Sequence, residues 1–517
     1  MGNNGVKGIV LVAILVVLSF LIGSQISGDK TVSFGIVGGS IGLFLLLYLG
    51  TRSWWVLFLL PVVVSVVPLH LPVRLQLLLA PCFLAYWALL SLMGYTRFEW
   101  KTLWIMDLLV LLMFIDTAIV FIHHPSSFLL LDQFLGMDSE LIGGREYWIC
   151  LLGVTTYICI SLLPLKYKDC VKLLKYLFYL TMAAQAFKSV RGIVRPGASD
   201  EGDAADIADR AENGRFDKLI FVGTFWATYF YVERPFLQLL KKPTRLAVLI
   251  LSALCVVISG WRGRIIQFAV QFFMLSVIKR ELSLMVCLGC ATYGSLLFLS
   301  NEHLLDELPY GMQRSLVAIP GVHVRKDIER NARASSDWRV VMWHWALDSR
   351  TGFIKDYTWG DGFTQNKADM QRDMVATMRG TLNAGDQQAF AKRGMWHSGW
   401  ISTIHRLGVV GLILLVLNQL CTLYYFFRLS FLLYRADRRT CIHFLCVYGS
   451  TASGIPLYHL SAGIPAGFYS GIAEMAMIKL FYCCAREHFA GLIRANSVRY
   501  VPMMIQETAP TPALRAL

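Results

Sequence analysis

Apolar stretches of roughly the 20 residues that an α-helix needs to cross a hydrocarbon core recur along the chain, separated by short polar connections. They fall at Gly8–Gln25, Val32–Leu49, Trp54–Leu69, Leu75–Tyr95, Leu103–Ile122, Tyr147–Leu165, Leu173–Val190, Leu219–Phe236, Leu246–Gly260, Arg262–Ile278 and Leu282–Leu299. After a long polar interval three more follow, at Gly399–Phe427, Cys441–Leu460 and Ile464–Cys484. The pattern predicts an all-α integral membrane protein with about 14 transmembrane helices and a large helical loop on one side. Residues 1–300 hold spans one to eleven, 301–398 the large loop, 399–484 spans twelve to fourteen, and 485–517 a tail. The first span follows Lys7 without a convincing small-residue cleavage pattern, so it reads as an uncleaved helix rather than a signal peptide.

Composition agrees with this class. Of 517 residues 56% are hydrophobic and only 16% charged, against about a quarter charged in soluble domains. Forty-eight Lys and Arg against 34 Asp and Glu give a net charge of +14, which in a soluble protein would raise nucleic acid as a partner. Here the excess lies in alternate short connections: Arg52; Arg97 and Lys101; Lys166, Lys168, Lys172 and Lys175; Lys241, Lys242 and Arg245; Lys279 and Arg280; Arg435, Arg438 and Arg439. That is the positive-inside distribution of a multi-span membrane protein, and it leaves no reason to invoke nucleic acid. With those clusters in the cytoplasm, both termini are inside, and the intervals Ile122–Tyr147, Val190–Leu219 and Asn301–Ser398 face out. The stretch 190–218 contains an acidic, Ala- and Gly-rich run that cannot bury much apolar surface and reads as a solvated flap. The 12 cysteines lie mostly inside apolar spans and none lies between Asn301 and Ser398, so the large loop has neither a disulfide nor a cysteine metal site. Cys483 and Cys484 read as membrane-buried small hydrophobes.

Other connections being short, the large loop is where outward chemistry has room. Ser335, Ser336 and Asp337 are good N-cap residues, and they predict an amphipathic helix over Trp338–Arg350 with Arg339, Trp343, Ala346 and Arg350 on one face. A turn follows at Gly360-Asp361-Gly362. At the end of the loop stand His397-Ser398, and Gly408 and Gly411 follow at the head of span twelve. These fit a pattern of His, then Asn, Ser or Gln, nine residues, Gly, two residues, and Gly, Thr or Tyr, which composition alone produces in roughly one chain in fifty of this length.

The pattern and its place between the main outer loop and the next helix resemble the signature of the O-antigen ligase and O-antigen polymerase family, which are GT-C-like membrane enzymes. Ser259-Gly260-Trp261-Arg262-Gly263 is similar to the family's Ser-x-x-Arg-Gly stretch, and Arg339-x-x-x-Trp343 with Gly360-Asp361-Gly362 is similar to its loop pattern. The resemblance covers about Leu246 to Leu420; 14 spans are slightly more than the family's usual dozen. It implies a glycosyltransferase that takes glycan from a polyprenyl-diphosphate-linked donor at the periplasmic face, as in lipopolysaccharide or exopolysaccharide biosynthesis. The acceptor would be another glycan, lipid A core or a protein, with membrane lipids as surroundings and a chain-length regulator as partner if the enzyme is a polymerase. No cofactor is implied.

The residues support the same chemistry. Departure of a diphosphate demands fixed positive charge at the membrane surface, and Arg262, Arg264 and Arg339 are candidates because a guanidinium is always charged and binds in bidentate fashion. Arg262 and Arg264 sit on the outer side, against the positive-inside bias; as plain interfacial residues they would merely snorkel. The acceptor hydroxyl must lose a proton, and His397 is the candidate general base. His405 and Arg406 occupy variable positions of the pattern and rank second. No carboxylate cluster with ligand spacing lies in the loop, so the expected reaction is metal-independent and inverting. Gly408 and Gly411 are read as structural, sharing a helical face that a neighbouring helix packs against. Trp338, Trp343, Trp345 and Trp396 are read as anchors or packing, and Asp107, Asp116, Glu474 and Lys479, all within spans, as structural pairs. The competing reading is a lipid-linked glycan flippase or transporter, which needs a charged path through the bilayer and usually internal repeats; no repeat is evident.

Overall fold

The computed structural model describes residues 54–65, 75–94, 97–125, 141–142, 144–194, 219–259, 262–317, 319–348, 350, 352–363, 365–366, 396, 398–459, 469 and 471–499. The first elements are α1 (Trp54–Val64), α2 (Leu75–Leu92), α3 (Trp104–His123), β1 (Leu141–Ile142), α4 (Gly144–Ser161), α5 (Tyr167–Val194), α6 (Leu219–Glu233) and α7 (Phe236–Leu240). Next come α8 (Pro243–Ile258), α9 (Arg262–Lys279), α10 (Leu282–Asn301), a 3₁₀ turn at Leu304–Glu307, α11 (Tyr310–Leu316), α12 (Lys326–Leu347) and β2 (Gln365–Asn366). The last three are α13 (Gly399–Ala436), α14 (Arg438–Tyr458) and α15 (Ile472–Arg499). The architecture is that of an α-helical membrane protein; its one sheet pairs β1 with β2 over two residues each.

Among the described residues three helices, α3, α10 and α13, are long and apolar enough to cross a membrane, which falls short of the fourteen spans expected. Two of the expected spans, Gly8–Gln25 and Val32–Leu49, lie outside the described residues. Pro61 lies inside the short α1 and Pro81 inside α2, and neither proline ends its helix. Other expected spans carry polar groups inside the bundle, as α15 does at Lys479. The helix after Cys484 also continues to Arg499, so the tail expected to begin at residue 485 starts as an extension of α15.

α13 is the hub, packed against α3, α14 and α15, while α4 lies between α2 and α15. Two glycines allow close crossings. A Cβ on Gly223 of α6 would meet the Ser252 carbonyl of α8 at 2.5 Å, and one on Gly153 of α4 would meet the Tyr469 carbonyl at 2.7 Å. Cys483 and Cys484 are buried as expected, and all 12 cysteines are free.

At the end of the bundle where α3 begins, Lys479 of α15 is fully buried and ion-paired with Asp107. Its ammonium also donates to Ser161 Oγ at 2.9 Å and stands over the rings of Trp100 and Tyr157. Asp107 accepts in addition from the Tyr157 hydroxyl at 2.8 Å and the Leu103 amide at 3.1 Å. The pair is structural, as expected. Lys479→Met would strand a buried carboxylate, so a loss of about 3 kcal/mol or more is expected in thermal unfolding of the purified protein. Adding Asp107→Asn should recover much of it. A single variant as stable as wild type would show that the pair contributes nothing.

Candidate functional site

The large loop docks on the bundle through a break in α13. In an uninterrupted helix the Val409 and Val410 amides would bond the carbonyls of His405 and Arg406, four residues back. Gly408 instead has φ 68° and ψ −175°, a conformation essentially confined to glycine. The loop fills the gap. Asp361 N–H donates to the His405 carbonyl at 2.7 Å and Gly362 N–H to the Arg406 carbonyl at 3.2 Å. In return Val409 N–H donates to the Tyr357 carbonyl at 2.8 Å and Val410 N–H to the Thr358 carbonyl at 3.4 Å. The His405 and Arg406 carbonyls and the Val409 and Val410 amides, which would make two helical hydrogen bonds, thus make four with the loop instead.

The sequence around Gly360 is built for this insertion. Gly360 and Gly362 both have positive φ; a Cβ on Gly360 would meet the Gly408 amide nitrogen at 2.5 Å, and one on Gly362 the Tyr147 hydroxyl at 2.8 Å. The Asp361 carboxylate ties the turn together by accepting the Asp356 and Lys355 amides, each at 2.9 Å. Phe363 is buried edge-on against Tyr147, whose hydroxyl accepts the Phe363 amide at 3.3 Å. Arg406, nearly fully buried, donates to the Gly362 carbonyl at 2.8 Å, with the carboxylates of Glu146 and Asp361 as electrostatic partners. Gly408 therefore marks a helix break filled by the loop, not the helix-packing face expected of it. Gly411 does sit against α3: a Cβ there would meet Asp116 Oδ2 at 2.8 Å. Asp116 itself is 3% exposed and its Oδ1 has no hydrogen-bond partner among the described residues, so it is not the structural pair expected.

His405 is excluded as a base by its partners. The Trp396 indole can only donate, and it donates to His405 Nδ1 at 3.1 Å. The ring proton is therefore on Nε2, which faces Asp361 Oδ2 at 3.5 Å. Both nitrogens are committed to holding the loop.

α12 begins at Lys326, not after Ser335-Ser336-Asp337, which lie within it. Asp327 and Glu329 in its first turn favour that start, and Ile328, Ala332, Met342 and Ala346 are its buried stripe. The helix ends at Leu347, so Arg350 is not on the face shared by Arg339 and Trp343. Trp343 Nε1–H donates to the Trp396 carbonyl at 2.8 Å, and Ser398 Oγ donates to the His459 carbonyl at 3.1 Å. Both neighbours of His397 are thereby held; His397 itself lies outside the described residues. Arg339 is one turn before Trp343 and half-buried. Burial and the nearby Arg314 lower its pKa from the ordinary guanidinium value.

Arg314, on α11, was not singled out in the sequence. The only available signal was a basic residue in the loop expected on the outer side, where the positive-inside bias disfavours one. α11 contacts α12, α8 and α9, so it bridges the helix bearing Arg339 to the one that Arg262 opens. The side chain of Arg262 lies outside the described residues. Arg264 turns toward the bundle and donates to Gln267 Oε1 at 2.6 Å. The structure thus gathers Arg339, Arg314 and the head of α9 around the loop end of the bundle.

No family model matches the chain, and no curated protein matches it at a significant level.

Proposed function

We propose that the chain is a membrane glycosyltransferase of the O-antigen ligase and polymerase type, acting at the periplasmic face of the bacterial inner membrane on a polyprenyl-diphosphate-linked glycan. The observation that carries the reading is the hydrogen bond from Trp343 to the Trp396 carbonyl. It fastens the helix bearing Arg339 to the residue preceding His397, where a cation and a base are both wanted. The acceptor hydroxyl attacks the anomeric carbon from the side opposite the diphosphate, the sugar–phosphate C–O bond breaks, and His397 takes the hydroxyl proton. Arg262 and Arg339, with Arg264 assisting and Arg314 beside Arg339, stabilise the charge left on the polyprenyl diphosphate. The configuration inverts in this single displacement, and no metal takes part. Among acceptors, a second lipid-linked glycan, lipid A core and a protein side chain all fit this scheme.

The test is glycan transfer by the purified protein carrying Arg339→Ala or Arg339→Lys. Removing a charge-assisted contact to the leaving group should lower the rate about 10- to 100-fold. The lysine variant should stay below wild type, because an ammonium keeps the charge and loses the bidentate fork. Wild-type rates in both variants would remove Arg339 from the site.

A further inference from the structure

A cavity lies among α5, α6, α9 and α14. Its floor is the polar stripe of α9, Arg264, Gln267 and Gln271, spaced along one helical face. Gln267 and Gln271 are buried, whereas Thr181, Gln185, Phe221 and Thr224 are part-exposed.

Two of the lining amides are incompletely satisfied. The Thr228 hydroxyl spends its proton on the Thr224 carbonyl at 2.8 Å, so it can only accept from Gln271, which donates to it through Nε2 at 2.8 Å. That fixes the amide orientation and leaves Gln271 Oε1, in a side chain 2% exposed, with no donor among the described residues. Gln185 Oε1 is likewise buried with no donor among them. Unmet buried acceptors are costly, and O–H donors, from water or from the hydroxyls of a ligand, would satisfy them. Arg264 supplies positive charge to the same lining, and Phe221, Phe225 and Phe268 an apolar wall.

We propose that this cavity is a binding site for a small anionic polyol, such as a glycerol phosphate, whose hydroxyls donate to Gln271 and Gln185 while its phosphate faces Arg264. The site shares Arg264 with the proposed diphosphate clamp, but the argument for it stands on the lining of the cavity and not on the glycosyltransferase reading. The chemistry is shared by the head group of a membrane lipid, phosphatidylglycerol, and by free glycerol 1-phosphate.

Lipid retention separates the possibilities. The full-length protein is equilibrated in mixed phosphatidylglycerol and phosphatidylcholine, the second having the phosphate without the hydroxyls, and bound lipid is counted by native mass spectrometry with and without glycerol 1-phosphate. Wild type should favour phosphatidylglycerol about tenfold, in keeping with two hydrogen bonds, and Gln271→Leu should abolish the preference. Gln185→Leu, at the more exposed wall, should weaken it and decides the matter if the first variant unfolds. Lipid that resists glycerol 1-phosphate assigns the head group as ligand; binding of glycerol 1-phosphate alone, lost in the same variants, assigns the soluble molecule. Equal retention of both lipids with no glycerol phosphate binding, or wild-type selectivity in both variants, would overturn the proposal.

Discussion

Gly408→Ala is expected to unhook the Gly352–Phe363 segment from α13. Its φ of 68° with ψ of −175° costs a residue with a Cβ about 1–3 kcal/mol, and that Cβ would meet the Thr358 carbonyl well inside contact distance. If the break closes into regular helix instead, Val409 and Val410 recover His405 and Arg406 as partners, and all four loop-to-helix hydrogen bonds are lost. Amide exchange at Asp361 and Gly362 should accelerate on the order of 10- to 100-fold, while Val409 and Val410 stay protected if the helix closes. Exchange in the α3–α15 core should stay at its wild-type rate. Transfer activity should fall with the docking. Unchanged protection of Asp361 and Gly362 would mean that the break is not held by the loop.

His397→Ala should lower the rate of glycan transfer about 10²- to 10⁴-fold, the usual contribution of a general base, while the protein still folds. The reason to expect folded protein is that both neighbouring residues have anchors of their own. Trp396 is held by Trp343 and by its own bond to His405, and Ser398 by the His459 carbonyl. Transfer near the wild-type rate, in protein with an unchanged unfolding temperature, would remove His397 from the mechanism.

The helical class was legible because apolar runs of membrane length are long-range averages that no single residue can spoil. The span count was less so. An ion pair such as Asp107–Lys479 lets a helix carry charge in the core. The start of α12 was misplaced because Ser335-Ser336-Asp337 carries the local chemistry of a cap, yet Ile328 and Ala332 extend the buried stripe backward, and packing overrides capping. The sequence pattern marked Gly408, but its spacing from Gly411 is helical, so nothing local disclosed a break between them. That needs the partner, and Gly360-Asp361-Gly362 lies nearly fifty residues upstream. His405 and Arg406 were ranked second because the pattern leaves their positions variable. Their work is holding the loop, which a motif does not record.

The measurement closest to the central claim is a paired assay on one preparation. Detergent-purified protein receives a polyprenyl-diphosphate-linked glycan and an acceptor in the presence of EDTA, and the same protein in liposomes is assayed for movement of the lipid-linked glycan between leaflets. The account predicts transfer that survives EDTA, disappears in His397→Ala and is accompanied by no translocation. Translocation without transfer would contradict it and make the chain a transporter; transfer abolished by EDTA would contradict the metal-free arginine clamp.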